Sequence, residues 1–158
     1  MSAGVSVVWV GRRPAAPWEA LAEEYATRIA RFVPFEEVRV RPSSGRAHAG
    51  AQALAREAAA VLEHVSPGDA LVALDEHGRQ RTTLDFAGWL GRQRDAGRAV
   101  VFVVGSDLGL AEAIKVRAHE RMSLSAMTLP HALARVLLLE QLYRAFDLLA
   151  GGRYHRGE

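Results

Sequence analysis

Apolar positions recur along this chain in two alternating rhythms. Short runs rich in β-branched residues, VSVVWV (5–10), FEEVRV (35–40), ALVAL (70–74) and AVVFVV (99–104), are each followed by a longer stretch of helical period. The runs predict strands, and apolar residues three and four apart predict helices with a buried face. The expected helices run from about Pro17 to Phe32 with proline in the first turn, and over an alanine-rich stretch near His48 to His64. A hydroxyl-capped helix in TTLDFAGWLGRQRDAG ends at Gly97, a short one runs from Leu110 to about His119, and a last one spans Leu133 to Leu149. Strands alternating with helices imply βαβ units, hence an α/β fold with a mostly parallel sheet and helices on both faces. The 158 residues suit a single domain, 1–158, without linker, internal repeat or low-complexity segment.

The last helix departs from simple amphipathicity. At 100° per residue, Glu140, Gln141, Arg144 and Asp147 share one stripe, while Arg135 lies roughly 170° from its centre. Nearly everything else on the helix is apolar or small, so it must be covered on more than one side, by its own sheet or by another subunit. Arg135 is then a charge on an apolar face, held either by a structural partner or by a carboxylate or phosphate at an interface.

Composition narrows the class without naming a function. Charged residues make up 24% and hydrophobic ones 49%, as in ordinary globular proteins. No run approaches the roughly 18 apolar residues of a membrane span. The first cations follow a short apolar run, the reverse of a secretory signal, and cysteine is absent, so a cytoplasmic location is expected. The formal net charge is +2, and of the 20 cationic side chains all but Lys115 are arginine. So small an excess predicts no strong nonspecific grip on nucleic acid, and any RNA binding should be local and shape-dependent. An arginine-favouring genome explains the composition equally.

In parallel α/β sheets ligands gather beyond the carboxyl ends of the strands, where three loops compete. GSDLGL (105–110) sets two glycines four apart after a strand, which allows close backbone approach or positive φ. It has neither dinucleotide spacing nor a P-loop lysine, and Asp107 would repel a phosphate, so a cationic ligand with few phosphates suits it better. LDEHGR (74–79) places Asp75 where a receiver domain carries its phosphoacceptor, but Gly11, Arg12 and Arg13 stand where the metal-holding acids should be. Asp75 reads equally as a turn residue. SLSAMTLPH (123–131) offers three hydroxyls for local backbone bonds and an apolar slot from Leu124, Met127 and Leu129, with Pro130 fitted to start the next helix. An elaborate helix entry would need the same residues. His131, in the first helical turn, reads as a capping, packing or proton-accepting group. The tail GGRYHRGE interleaves Arg153, Tyr154, His155 and Arg156, which suits stacking on an unpaired base as well as a frayed end. No metal-ligand spacing and no nucleophile elbow occur.

LDEHGR, VVGSDLGL, SLSAMTLPHALARVLLLEQLYRA and the terminal YHR, in this order and at these distances, resemble the RlmH family, SPOUT-class enzymes that methylate N3 of a pseudouridine in 23S ribosomal RNA. The resemblance is strong over Leu71 to Arg156 and limited to the layout over residues 1–66. It implies a C-terminal trefoil knot and a homodimer that binds S-adenosylmethionine in the knot, with ribosomal RNA or the assembled ribosome as substrate. The implied cofactor pocket is Leu74, Gly105 and the run Leu124, Ser125, Ala126, Met127, Thr128 and Leu129. From the apolar last helix and the basic aromatic tail, the expected catalytic group is Tyr154, His155 and Arg156 of one subunit's tail, with Arg135, acting at the other's pocket: His155 assisting deprotonation, the arginines stabilising negative charge. Ser106 departs from the family's usual second glycine, and its Cβ and hydroxyl are expected to crowd the cofactor. That departure keeps a noncatalytic RNA- or nucleotide-binding module as the alternative, beside a methyltransferase of another RNA.

Overall fold

The computed structural model describes residues 3–43, 50–106 and 108–155. In chain order the elements are β1 (Val5–Val10), α1 (Ala16–Ile29), β2 (Phe35–Val40), α2 (Gly50–Leu62), β3 (Ala70–Gln80) and α3 (Thr83–Asp95). Then come β4 (Val100–Val104), α4 (Glu112–Arg117), β5 (Glu120–Ser123) and α5 (His131–Leu149). The strands form one sheet in the order β2-β1-β4-β3-β5, with every pairing parallel. This is the expected α/β architecture.

Alternation along the central strands sends side chains into two cores. Val7, Trp9, Val72, Phe102 and Val104 face a layer built from α1, α3 and α5. Val8, Val10, Leu71, Ala73, Val101 and Val103 face α2 and α4. Both faces are buried, which is why the central strands read as continuous apolar runs. α5 packs against both α1 and α3 over the sheet. Its Leu138, Leu139 and Leu142 are fully buried, each contributing about 2 kcal/mol of transfer free energy. The chain itself therefore covers most of this apolar helix.

Several boundaries differ from expectation for identifiable reasons. Thr82 caps α3 as expected, its hydroxyl accepting from the Asp85 amide at 3.1 Å. α4 ends at Arg117 because Ala118 turns extended and the His119 amide donates to the Leu71 carbonyl of β3 at 2.8 Å. That bond introduces β5, which periodicity missed because ERMS carries two charges and buries Met122 and Ser123 at a sheet edge. β3 runs past ALVAL to Gln80, with a register shift between Leu74 and Arg79. Arg81 just beyond it forms a two-pronged bond to Glu120 at 3.0 Å and sits over the Trp89 ring, fixing the added edge to α3. His48, the expected start of the second helix, lies outside the described residues, as do Asp107 and Arg156.

Candidate active site

A cavity of about 750 Å³ opens at the carboxyl ends of β3, β4 and β5. Its size is that of a site for a small organic ligand. The loops LDEHGR, GSDLGL and SLSAMTLPH converge on it. Leu74, Gly105, Leu124, Ser125, Met127, Thr128 and Leu129 line it, and of the expected pocket residues only Ala126 is not on the wall. His131 and Ala134 close one side from the first turn of α5.

The walls are held by local chemistry. A Cβ at Gly105 would stand 2.7 Å from the Gly109 carbonyl oxygen, and Gly109 itself takes φ +85, so the loop needs both glycines. The buried Ser123 hydroxyl donates to the Ser125 carbonyl at 2.8 Å, and the Ser125 hydroxyl accepts from the Met127 amide at 2.9 Å. These bonds shape the chain ahead of Pro130, which precedes α5 without a side-chain capping bond. Thr128 instead crosses the cavity rim and donates to Glu76 at 2.7 Å, tying SLSAMTLPH to LDEHGR. Asp75 accepts from the His77 amide at 3.0 Å, an Asx-type turn within the irregular part of β3. The cavity thus combines apolar walls with the Asp75 and Glu76 carboxylates and the Lys115 cation, and Arg121 of β5 lies 3.6 Å from Asp75 behind the wall.

The expected catalytic residues lie elsewhere in their own chain. Arg135 is buried and fully occupied: it donates to Glu37 at 2.7 and 3.0 Å and to Glu19 at 3.2 Å, and its guanidinium stacks 4.2 Å from the Trp9 ring centroid. Burial pulls its pKa down, but the bonds to Glu37 and Glu19 outweigh that and leave it raised. The arginine on the apolar face has structural partners in α1 and β2. Tyr154 and His155 fold back on α5. The Tyr154 amide donates to Asp147 at 2.9 Å, its hydroxyl donates to Glu140 at 3.2 Å, and its ring meets that of Tyr143 edge-on at 4.6 Å. Burial first, then hydrogen bonding with Tyr25 and the charge of Glu140, push the Tyr154 phenol up, so it stays protonated near neutrality. Arg144 bonds Glu140 at 2.8 Å, which raises its own pKa, and lies 3.2 Å from His155 Nδ1. None of these tail residues lines the large cavity of its own chain.

A family model described as predicted SPOUT methyltransferase matches residues 4–155. A protein of Anaeromyxobacter sp. (strain Fw109-5) named Ribosomal RNA large subunit methyltransferase H is 45% identical over 151 residues, covering 95% of this chain and 97% of its own. The chain belongs to the RlmH family of SPOUT methyltransferases. A relative of the same name from Methylobacterium nodulans (strain LMG 21967 / CNCM I-2342 / ORS 2060) is 44% identical over 158 residues, covering 97% of this chain and 98% of its own. The crystal structure of a probable methyltransferase from Bordetella pertussis Tohama I superposes with a TM-score of 0.58 at 20% identity, covering 91% of this chain and 95% of that one. At that identity it speaks for the fold alone.

Against this family background the serine in the glycine loop has a specific neighbour. Ser106 Oγ donates to Glu57 of α2 at 2.9 Å and accepts from the Leu108 amide at 3.3 Å. Glu57 is buried, and its other oxygen accepts from the Ser43 amide beyond β2 at 2.9 Å. One carboxylate therefore anchors two loops at the carboxyl edge of the sheet. Sequence reasoning missed Glu57 because it sits in an alanine-rich helix 49 residues from its partner. Glu76 was also missed, although it stands in a loop already singled out. Among the described residues no group of three or more His, Cys, Asp or Glu could hold a metal ion, and no helix is long and apolar enough to cross a membrane.

Proposed function

We propose that the protein transfers the methyl group of S-adenosylmethionine to N3 of a pseudouridine in 23S ribosomal RNA. The observation that carries the reading is the cavity at the ends of β3, β4 and β5, built by the glycine and hydroxyl loops of a methyltransferase family. Its residues fit the cofactor. Leu74, Leu124 and Leu129 suit the flat adenosine, Gly105 allows close backbone approach, and the Asp75 and Glu76 carboxylates suit the cationic methionine end. When bound, the cofactor supplies an electrophilic methyl group on a positively charged sulfur. The trefoil threading implied by the family belongs to this proposal, as do the homodimer and the cytoplasmic setting.

The imide nitrogen of the base must lose its proton to become nucleophilic, so groups that stabilise the developing anion assist the reaction. The tail of the partner subunit supplies them. An imidazole that accepts from Arg144 at Nδ1 carries its proton on Nε2. His155 therefore assists deprotonation as a donor to a base carbonyl, with the proton passing to solvent, and Arg156 adds positive charge. Tyr154, anchored to Glu140 and Asp147, positions the tail. Arg135 acts only by fixing the start of α5 against α1 and β2.

The noncatalytic alternative was motivated by Ser106, whose hydroxyl is held by Glu57. Ser106 still lines the cavity, so S-adenosylmethionine binding decides between this alternative and methyl transfer, the reading that the cavity and the family favour. Calorimetric titration should show micromolar S-adenosylmethionine binding near one site per chain. Ribosomal particles lacking the modification should accept labelled methyl, located on pseudouridine N3 by mass spectrometry of the digested RNA. Absence of both binding and transfer would overturn the proposal. Truncation after Gly152 should abolish transfer and spare cofactor binding, and normal transfer by that variant would remove the tail from the mechanism.

A further inference from the structure

A second cavity, about 220 Å³, lies at the carboxyl end of β1. β1 and β4 are neighbours, with Trp9 opposite Val104, so the two cavities sit at adjacent strand ends. His131 lines both. The rest of the smaller one comes from the β1–α1 loop and α1, with Arg12, Arg13 and Trp18, and from Trp9 and Arg135.

The charges of this cavity are distributed unevenly. Arg135 is answered by two carboxylates, Glu37 and Glu19, and covers Trp9. That side has no positive charge to spare and disfavours an anion. Arg12 and Arg13 are exposed, and among the described residues neither has a carboxylate within ion-pair distance. Trp18, half-buried, is the aromatic surface not already taken by Arg135. The arrangement suits a ligand that is neutral and flat at one end and anionic at the other, as an unpaired nucleotide is: a base stacks on an aromatic ring, and arginine forks hold its phosphate. The volume is small for a whole cofactor and suits a single base. The tail of a second copy, carrying Arg153, would be repelled by the same two arginines.

We propose that this cavity seats a nucleotide of the substrate RNA adjoining the base that enters the large cavity, with its base on Trp18 and its phosphate on Arg12 and Arg13. The inference rests on the RNA methyl-transfer reading above and adds where the chain next to the target is held.

The test compares wild type with an Arg12→Ala/Arg13→Ala double variant in methyl transfer to ribosomal particles across a series of salt concentrations. The expected result is a loss of about tenfold or more in kcat/KM at low salt and a salt slope shallower by about 1, for the one phosphate that the two arginines hold. S-adenosylmethionine affinity and sedimentation mass should be unchanged. Trp18→Ala should lower kcat/KM by about tenfold with little change in slope, as loss of stacking would. Because Trp18 is half-buried and its removal also tests the fold, the exposed arginines carry the decision. Equal kcat/KM and equal slope in wild type and the arginine variant would overturn the inference alone. A changed sedimentation mass would assign the cavity to the partner subunit and also overturn it. Absence of transfer by the wild type would instead overturn the function on which it rests.

Discussion

The two ends of α5 each set an arginine against carboxylates, in different surroundings. At the N-terminal end Arg135 is buried with a side-chain exposure of 5% and reaches residues 98 and 116 positions away in sequence. At the C-terminal end Arg144 is 25% exposed and pairs with Glu140 one turn back, and the same carboxylate accepts from Tyr154. The first is a tertiary clamp among α1, β2 and α5, beside the smaller cavity. The second is a local stripe on which the tail rests. A buried charge is costly to leave unpaired, whereas a pair whose arginine is a quarter exposed is partly screened and contributes less to stability. One end of the helix therefore bears on folding, and the other on where the tail lies.

The sharpest way to break this contrast is Arg135→Met, which strands Glu37 at 15% side-chain exposure. Stability should fall by about 3 kcal/mol, read as a lower urea midpoint with unchanged slope. A midpoint equal to wild type would mean that the clamp contributes nothing. Glu140→Gln at the other end should cost no more than about 1 kcal/mol, while methyl transfer drops roughly tenfold to a hundredfold because the tail loses its position. Transfer at the wild-type rate would show that Glu140 does not position the tail. Glu57→Gln extends the comparison to the glycine loop. It keeps a carbonyl acceptor but weakens two bonds, so a loss of about 1 kcal/mol is expected, together with weaker S-adenosylmethionine binding by calorimetry. Unaltered binding would separate Glu57 from the cavity.

The smallest effect is at alkaline pH. Tyr154 has its pKa raised above the ordinary 10.0, with burial the largest cause. Its contribution is complete below pH 10.0, where the phenol is neutral in both folded and unfolded chains, and is lost as pH rises above that value. Tyr154→Phe should flatten this alkaline loss in urea titrations. An unchanged pH profile would mean that Tyr154 is not the group responsible.

The sequence by itself determined the alternation of strands and helices, the parallel α/β class, the hydroxyl cap of α3 and the three loops that meet at the large cavity. These follow from apolar period, glycine, proline and short hydroxyl side chains, whose effects extend over a few residues. That is why the apolar slot of Leu124, Met127 and Leu129 was legible while Glu76, the partner of Thr128 52 residues away, was not. Only the tertiary structure decided the strand order, the existence of β5, the partners of Arg135, the anchoring of Ser106 by Glu57 and the second cavity between Arg12 and Trp18. Each brings together groups far apart in the chain, and a charge or an aromatic ring carries no local sign of the distant residue it will meet. Its meaning is set by burial, which exists only once the sheet has assembled and α5 has closed over it.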